Sequence, residues 1–309
     1  MSFLQIYTHP SGLKHDTGAG HPESPARLQT LLDLFREKPF DQIPVITARE
    51  ATRSELARAH DRGYIDHVED SIPYRGTDTI DDGDTIICPE SWEAALTAAG
   101  AVCQAVDDIL SGACTRAFCA VRPPGHHAGF AKVEGFCLFN NIAIGAYHAL
   151  ASGTINRVAI LDFDVHHGNG TDEIARRHDN IFFASTHQAH IYPNSGYAEH
   201  DIAGRILNRP LPSGTDGSTF RDVWANDIFP ALNRFAPELI FISAGFDGHR
   251  DDPLAGFNLI EDDYAWITRE VSQLANKHAQ GRIISALEGG YNLIALKNSV
   301  KTHLETLIS

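Results

Sequence analysis

The stretch that decides the fold is Val-Ala-Ile-Leu-Asp-Phe-Asp-Val-His-His-Gly-Asn, residues 158–169, in which an apolar run ends in a dense set of polar side chains. A short run of this kind is typical of a buried parallel strand. Alternation along the strand places Asp162, Asp164 and His166 on one side near its carboxyl end, where open α/β sheets build their sites. Two carboxylates and an imidazole there indicate a metal centre.

Similar apolar runs alternate with amphipathic segments along the whole chain. The runs predict strands at 4–7, 117–121, 158–163, 181–185, 239–243 and 283–287, and the amphipathic segments predict helices at 24–38, 91–110, 139–151, 220–235 and 262–278. This order predicts an α/β fold with a parallel sheet covered by helices on both faces. Without an internal repeat or a long linker, residues 1–309 are expected to form one domain.

Composition limits the classes of function. The chain has 309 residues, 43% of them hydrophobic, which supports a large core, while the lack of a long apolar stretch or signal-peptide pattern predicts a cytoplasmic protein. The net charge of −15 argues against a nucleic-acid-binding surface and suits a small molecule or a basic peptide. The five cysteines form no Cys-x-x-Cys pair, so buried thiols are expected rather than disulfides or a cysteine zinc site.

Titratable residues gather in the loops that follow the predicted strands. Loops at the carboxyl ends of parallel strands converge on one edge of the sheet, so these residues should meet there. A catalytic metal site needs about three protein ligands and an open position, and Asp164, His166 and Asp247 supply three. This oxygen-rich set suits zinc and leaves iron and cobalt open.

A pair of adjacent histidines, His126 and His127, follows Arg-Pro-Pro-Gly at 122–125, which fixes an irregular turn after a predicted strand. One imidazole can take a proton from metal-activated water while the other holds charge nearby. Each needs a partner on its far nitrogen to fix its tautomer, and Asp162 and Asn169 are the candidates.

Six motifs in the chain resemble those of the metal-dependent histone deacetylase family, most closely its class II branch and its bacterial amidohydrolase relatives. The similarity runs from residue 21 to the C-terminal segment and therefore covers nearly the whole chain. The motifs are RPPGHHA (122–128), GFCLFNN (135–141), DFDVHHGNGT (162–171), SAGFD (243–247), DPL (252–254) and EGGYN (288–292).

The resemblance implies the arginase/deacetylase fold, with a parallel sheet of about eight strands, and it implies roles for individual residues. Asp164, His166 and Asp247 match the family's zinc ligands. His127 matches the general base and acid, His126 the neighbouring electrostatic histidine, and Tyr291 the phenol that polarises the substrate carbonyl.

The resemblance also implies a substrate tunnel and a second ion. Phe136 and Tyr192 match the aromatic walls of an acyl-lysine tunnel, with Gly135 at its side. A structural potassium ion maps to Asp162 and Ser185, together with backbone oxygens of Asp164, His166 and Thr186. The implied activity is removal of acetyl or other acyl groups from acyl-lysine, in a peptide or protein or in a similar small amide.

Two positions bear on activity. Asn169 occupies a place where class I enzymes carry aspartate, and a neutral partner favours a neutral His127 that is ready to act as base. Tyr291 occupies a place where a weakly active vertebrate subgroup has histidine. Both residues favour a competent hydrolase.

Three alternatives remain at the level of sequence. Acetylpolyamine deacetylation uses the same chemistry, but polyamine-selective relatives can carry an acidic residue where this chain has Leu254. Binuclear manganese ureohydrolases share the fold but need further aspartates, and position 249, near Asp247, is His249. A catalytically silent acyl-binding module would be expected to lose groups that this chain retains, such as His127 and Tyr291. The oligomeric state is left open.

The sequence leaves two further sets of residues undecided. His21, Glu23 and Arg27 fit helix capping and salt bridging as well as a place near the interior of the site. A second set of acidic residues fits solvated loop charge better than contact with a substrate at the rim; it comprises Asp81, Asp82, Asp84, Asp251 and Asp252.

Overall fold

A large parallel sheet forms the centre of the molecule in a computed structural model that describes residues 3–81 and 83–309. Its eight strands follow the order β2-β1-β5-β10-β9-β6-β7-β8, and every neighbouring pair is parallel. The remaining two strands, β3 and β4, form a small antiparallel pair. The bounds are β1 Leu4–Thr8, β2 Val45–Thr47, β3 Asp78–Thr79, β4 Ile86–Ile87, β5 Arg116–Cys119, β6 Val158–Asp162, β7 Ile181–Gln188, β8 Ile206–Leu211, β9 Leu239–Ala244 and β10 Ile283–Leu287.

All six strands predicted from apolar runs are present in this sheet, so the expected parallel α/β architecture is confirmed. The two strands that the sequence did not predict lie at its edges. Strand β2 has only three residues, and Val45 is 47% exposed. Strand β8 contains Asn208, Arg209 and Pro210. Edge strands need to bury only part of their surface, so their apolar pattern is weak.

Helices cover both faces of the sheet. Their bounds are α1 Ser11–Lys14, α2 Pro25–Leu34, α3 Arg53–Ala59, α4 Arg62–Asp70, α5 Ser91–Ser111, α6 Asn141–Ala151, α7 Asn169–Ala175, α8 Gly217–Val223, α9 Phe229–Phe235, α10 Glu261–His278 and α11 Leu293–Ile308. The single helix predicted over 220–235 is interrupted by a π-helical turn at Trp224–Ile228, where the N–H of Phe229 bonds to the carbonyl of Trp224. Within the described residues, no helix is both long and apolar enough to cross a membrane.

Alternation along the strands divides the core between the two faces. In β9, Ile240 and Ile242 pack with α2, α10 and α11, whereas Leu239 and Phe241 pack with α5 and α6. Because both faces are covered, the central strands are apolar throughout. Strands β5, β10, β9 and β6 are consecutive neighbours in the sheet, so the loops after their carboxyl ends lie side by side. Those loops carry the candidate site.

Candidate active site

Three predicted metal ligands meet at the carboxyl edge of the sheet. Asp164 and His166 lie in the loop after β6, and Asp247 lies in the loop after β9. One donor atom from each residue lies within 4.8 Å of the others. Nδ1 of His166 lies 3.1 Å from Oδ2 of Asp247 and 3.2 Å from Oδ1 of Asp164. Donors that share a cation at about 2.0–2.2 Å have separations of this size, so the set fits one metal ion.

Backbone amides aim the two carboxylates. Asp247 accepts a hydrogen bond from the N–H of Val165 at 2.9 Å, and Asp164 accepts from the N–H groups of His166 at 2.9 Å and Gly289 at 2.8 Å. Gly289 must lack a side chain, because a Cβ there would lie 2.0 Å from Oδ2 of Asp247. The loop after β10 therefore supports ligands that come from β6 and β9.

The electrostatics of these ligands also fit a cation. Burial raises the pKa of Asp247, and the nearby charge of Asp164 raises it further, to about 7. Burial alone lowers the pKa of His166, but hydrogen bonds to Asp164 and Asp247 outweigh burial and raise it to about 10. Two buried carboxylates thus compete for one imidazole, and a divalent ion would compensate both. Two oxygen ligands with one nitrogen suit zinc, iron or cobalt.

A second group of metal-competent side chains, Glu55, Cys103 and His148, fits a metal less well. Arg49 donates two hydrogen bonds to Glu55, at 2.7 and 2.9 Å. Arg58 contacts His148. Because guanidinium groups already supply positive charge here, the cluster is a set of ion pairs joining α3, α5 and α6.

The paired histidines have the partners expected from the sequence. Nδ1 of His126 lies 2.9 Å from Oδ2 of Asp162, and Nδ1 of His127 lies 2.8 Å from Oδ1 of Asn169. The two rings lie 4.0 Å apart between centroids. The amide of Asn169 donates to Glu134, so its oxygen is free to accept from His127. This arrangement leaves the Nε2 lone pair of a neutral His127 available as a base.

The two imidazoles differ in charge. Burial alone lowers the pKa of His126, but the charges of Asp164 and Asp162 outweigh burial and hold the pKa well above its usual value. Burial lowers the pKa of His127 well below its usual value, and the charges of His126 and His166 lower it further. A charged and a neutral imidazole side by side match the roles expected for an electrostatic histidine and a base.

A cavity of about 240 Å³ opens beside His166. Its lining includes His127, His166 and Tyr291, together with the predicted tunnel residues Gly135, Phe136 and Tyr192, and with Leu254 and Asp84. The ring of Tyr192 packs edge-on against His127 at 5.1 Å, and that of Phe136 against Tyr291 at 6.2 Å. Every residue predicted from the sequence to contact a substrate therefore lines this cavity.

The structure shows where most members of the second, acidic set of undecided residues lie. Asp252 is only 7% exposed and accepts hydrogen bonds from backbone N–H groups, so a solvated-loop interpretation is wrong for this residue. The side chain of Asp251 is 61% exposed. Asp84 lines the cavity, Asp81 accepts from backbone N–H groups of its own loop, and Asp82 lies outside the described residues.

Arg27 lies in the interior of the protein, beneath the site. Its side chain is fully buried, donates to the carbonyls of Glu288 and Gly290, and pairs with Glu23 at 3.1 Å. Its guanidinium also lies 5.0 Å from the ring centroid of Tyr291.

His21 packs edge-on against Phe136 at 4.8 Å between ring centroids. Thus His21 and Arg27 both contact walls of the cavity.

Glu288 received no role from the sequence. Its Oε2 accepts from the N–H groups of Gly125 at 2.7 Å and His126 at 3.1 Å, so it links the loop after β10 to the paired histidines. Among the described residues its other oxygen is buried without a partner, and burial raises the pKa of Glu288 to about 7. A glutamate directly after an apolar run was the available signal.

The residues predicted to hold potassium are buried next to each other. Asp162 and Ser185 are register partners on β6 and β7. Oδ1 of Asp162 accepts from the N–H of Asp164 at 3.0 Å, and the Ser185 hydroxyl lies 3.0 Å from Nδ1 of His187. The Thr186 hydroxyl accepts a hydrogen bond from the indole N–H of Trp224 at 3.0 Å. The candidate ligand of Thr186 for an ion is therefore its backbone oxygen.

Comparisons with known proteins agree with this geometry. A family model described as "Histone deacetylase domain" matches residues 21–307. A "Probable deacetylase" of Archaeoglobus fulgidus is 37% identical over 93% of this chain and 81% of its own length. A "Histone deacetylase-like amidohydrolase" of Pseudomonas aeruginosa is 36% identical over 89% of this chain and 73% of its own length.

Two further similarities extend over 99% of the chain. The "Type-2 histone deacetylase 2" of Dictyostelium discoideum is 38% identical, although the chain spans only 21% of that protein's length. The solved structure of the "HDA15 HD domain" superposes on this chain with a TM-score of 0.91 at 31% sequence identity. The superposition covers 91% of the chain of that domain.

The fold and these comparisons define a hydrolase of amide bonds built on the arginase/deacetylase fold, with candidate metal ligands at the carboxyl edge of its parallel sheet. The chain belongs to the histone deacetylase family. Members of that family are generally metal-dependent, and the ligand group at Asp164, His166 and Asp247 fits a metal ion.

Proposed function

We propose that this protein is a zinc-dependent deacylase, which removes acetyl or other acyl groups from acyl-lysine side chains or similar small amides. One observation carries the proposal: His166, which lies within ligand distance of Asp164 and Asp247, lines a cavity together with His127 and Tyr291. Ligands, base and phenol thus come together around one space, as amide hydrolysis by activated water requires.

The chain's own residues account for the proton transfers. A divalent ion held by Asp164, His166 and Asp247 would supply Lewis acidity toward the amide and its attacking water. Nε2 of neutral His127 accepts the proton of that water as it attacks the amide carbon. The same nitrogen then returns the proton to the departing amine, so that a carboxylic acid and a free amine result.

Tyr291 and the cavity walls act on the substrate. The Tyr291 hydroxyl donates a hydrogen bond to the amide oxygen as that oxygen gains negative charge. Burial raises the pKa of this phenol well above its usual value, so it keeps its proton. The rings of Phe136 and Tyr192 narrow the cavity, which suits an extended aliphatic chain such as that of an acyl-lysine.

We also propose a structural potassium ion between β6 and β7. The carboxylate of Asp162 and the hydroxyl of Ser185, with backbone oxygens of Asp164, His166 and Thr186, would hold it. An oxygen-rich set suits a hard monovalent cation, and the full burial of Asp162 leaves its charge in need of compensation beyond His126. The ion would connect two neighbouring strands beneath the site.

Acetylpolyamine deacetylation is the second candidate, favoured by one feature of the rim. Asp84 lines the cavity and also lines a neighbouring cavity with Asp81 and with Glu134, which pairs with Lys132 at 2.9 Å. Such acidic groups would attract a distal ammonium. Leu254, 39% exposed at the same rim, offers no charge, so the main proposal keeps acyl-lysine as substrate.

Turnover of acetyl-lysine peptides, longer acyl-lysines and acetylpolyamines, compared on protein of measured metal content, tests the proposal. A thirtyfold preference in kcat/KM, about 2 kcal/mol, identifies the substrate class. Tyr291→Phe should lower kcat about 10²- to 10³-fold on the preferred substrate. Binding without turnover across the whole panel would instead identify a silent acyl-binding module.

A further inference from the structure

Asp252 joins two loops that line the cavity. Its Oδ1 accepts a hydrogen bond from the N–H of Leu254 at 3.0 Å, in the loop after β9. Its Oδ2 accepts from the N–H of Tyr291 at 2.6 Å and of Asn292 at 3.3 Å, in the loop after β10. The two oxygens of one buried carboxylate therefore act on different loops, and each loop contributes a residue to the cavity wall.

The peptide group that precedes the Tyr291 side chain is held at both ends. Its N–H is that of Tyr291 and donates to Asp252, while its carbonyl is that of Gly290 and accepts from Nε of Arg27 at 2.7 Å. Two buried side chains of opposite charge thus fix one peptide plane. Gly290 has a φ of +122°, a backbone conformation that other residues rarely adopt. Because glycine is conformationally permissive, the local sequence does not fix this peptide plane, and the two hydrogen bonds do.

We propose that Asp252 is a positioning residue that sets the Tyr291 phenol and the Leu254 side chain relative to each other across the cavity. A rotation of the Gly290–Tyr291 peptide would carry the phenol away from the substrate oxygen, and Asp252 opposes this rotation. The inference rests on the proposed function, because it needs Tyr291 to act on the substrate. A second hydrogen bond, from the side-chain amide of Asn292 to the carbonyl of Asp251, joins the same loops but contacts neither Tyr291 nor Leu254.

Asp252→Asn distinguishes this role from a general need for a polar group. An asparagine has the same shape but only one accepting oxygen, so its NH₂ group must face a backbone N–H of one loop. That N–H loses its acceptor in a nearly buried place. We expect kcat to fall about 10- to 100-fold, because a donor at the reacting oxygen is worth about 10²–10³ when removed completely.

Asp251→Asn is the matched control. It removes the same charge from the neighbouring residue, whose carboxylate is exposed. Kinetics, metal content and thermal unfolding are measured for both variants. We expect unchanged metal content in both, wild-type kcat for Asp251→Asn, and a loss confined mainly to kcat for Asp252→Asn.

Coupling to Tyr291 separates positioning from stability. In a Tyr291→Phe background the phenol is already absent, so Asp252→Asn should lower kcat less than threefold further. A loss of equal size in both backgrounds would mean that Asp252 acts through the fold as a whole, and it would overturn the proposal. Should Asp252→Asn fail to fold, Asp252→Glu decides: it keeps the charge but displaces the oxygens, and a wild-type kcat would refute the role.

The two proposals fail in different ways. If the wild-type protein hydrolyses no acyl amide of the panel, the proposed function is wrong and the inference falls with it. If the wild type is active and Asp252→Asn matches Asp251→Asn, the proposed function is unaffected and only the role of Asp252 is refuted.

Discussion

Gly135 offers a direct test of how finely the base is placed. It has a φ of +58°, and a Cβ built on it would lie 2.4 Å from Cδ2 of His127. Carbon atoms in contact prefer about 3.5 Å, so Gly135→Ala requires the imidazole to retreat by about 1 Å. That shift disturbs its 2.8 Å hydrogen bond to Asn169. Misplacement by about 1 Å can cost about 100-fold in rate, so kcat/KM should fall by that factor, about 2.7 kcal/mol.

Gly112→Ala provides the control for backbone strain. Gly112 ends α5 with a φ of +82°, and among the described residues a Cβ there would meet no atom within 4 Å. The left-handed conformation should cost each variant about 1–2 kcal/mol of stability. Gly135→Ala should lose about 1–3 kcal/mol more, because its Cβ also meets the buried ring of His127. The assay is kcat/KM on the preferred acyl amide, with thermal unfolding and metal content measured alongside. If Gly135→Ala stays within threefold of Gly112→Ala in kcat/KM, the contact does not set the position of the base.

Three further outcomes are expected. A chelator should abolish activity and lower the thermal midpoint, and restoring zinc, iron or cobalt should recover both; activity that survives metal depletion to below one ion per ten chains would refute a metal-dependent mechanism. Burial lowers the pKa of His303 to about 3, so this side chain stays neutral in the folded protein. In the unfolded chain its pKa is about 6.5, and it binds a proton below that pH. The stability of the fold therefore falls as pH decreases below about 6.5. His303→Gln should therefore reduce the pH slope of the unfolding free energy by about 1 kcal/mol per pH unit between about pH 5 and 6, measured by urea denaturation, and an unchanged slope contradicts the reasoning. Leu254→Glu should favour acetylpolyamines over acetyl-lysine peptides by about two- to fivefold in kcat/KM, the effect of one exposed ion pair, and no change would mean that this position does not face the distal ammonium.

How well the sequence predicts the sheet depends on burial. Central strands such as β6 bury every residue, so an apolar run reports them directly. Strand β8 carries Arg209 and Pro210 at the sheet edge, and its pattern could not be distinguished from a loop. The π-helical turn at Trp224–Ile228 was missed for another reason, because its apolar residues keep a helical spacing through the interruption.

Alternation along β6 predicted one group of polar side chains where the structure has two. Strand β6 ends at Asp162, whose carboxylate turns to His126, whereas Asp164 and His166 turn to Asp247. Which neighbour each side chain meets depends on loops far away in the chain. Family motifs supplied that division, and spacing alone did not.

Burial of Asp252 could not be predicted, because the residues next to it read as an exposed loop. Its carboxylate is held in the interior by the N–H of Tyr291, 39 residues further along the chain. A charged group is buried when donors compensate it, and donors from the backbone leave no mark in the sequence. Glu288, which accepts from the N–H groups of Gly125 and His126, escaped prediction for the same reason.

Carboxylates that accept backbone N–H groups therefore do two tasks in this site. They fix the loops after β5, β6, β9 and β10 to one another, and they concentrate negative charge where a cation would bind. The residues that accept from another loop are Asp164, Asp247, Asp252 and Glu288, while Asp162 accepts within the loop after β6. When no metal is bound, only part of that charge is balanced by the imidazolium groups of His126 and His166 and by the guanidinium of Arg27. Removal of the metal leaves buried like charges on the groups that hold the loops, so its loss should loosen the loops as well as end catalysis.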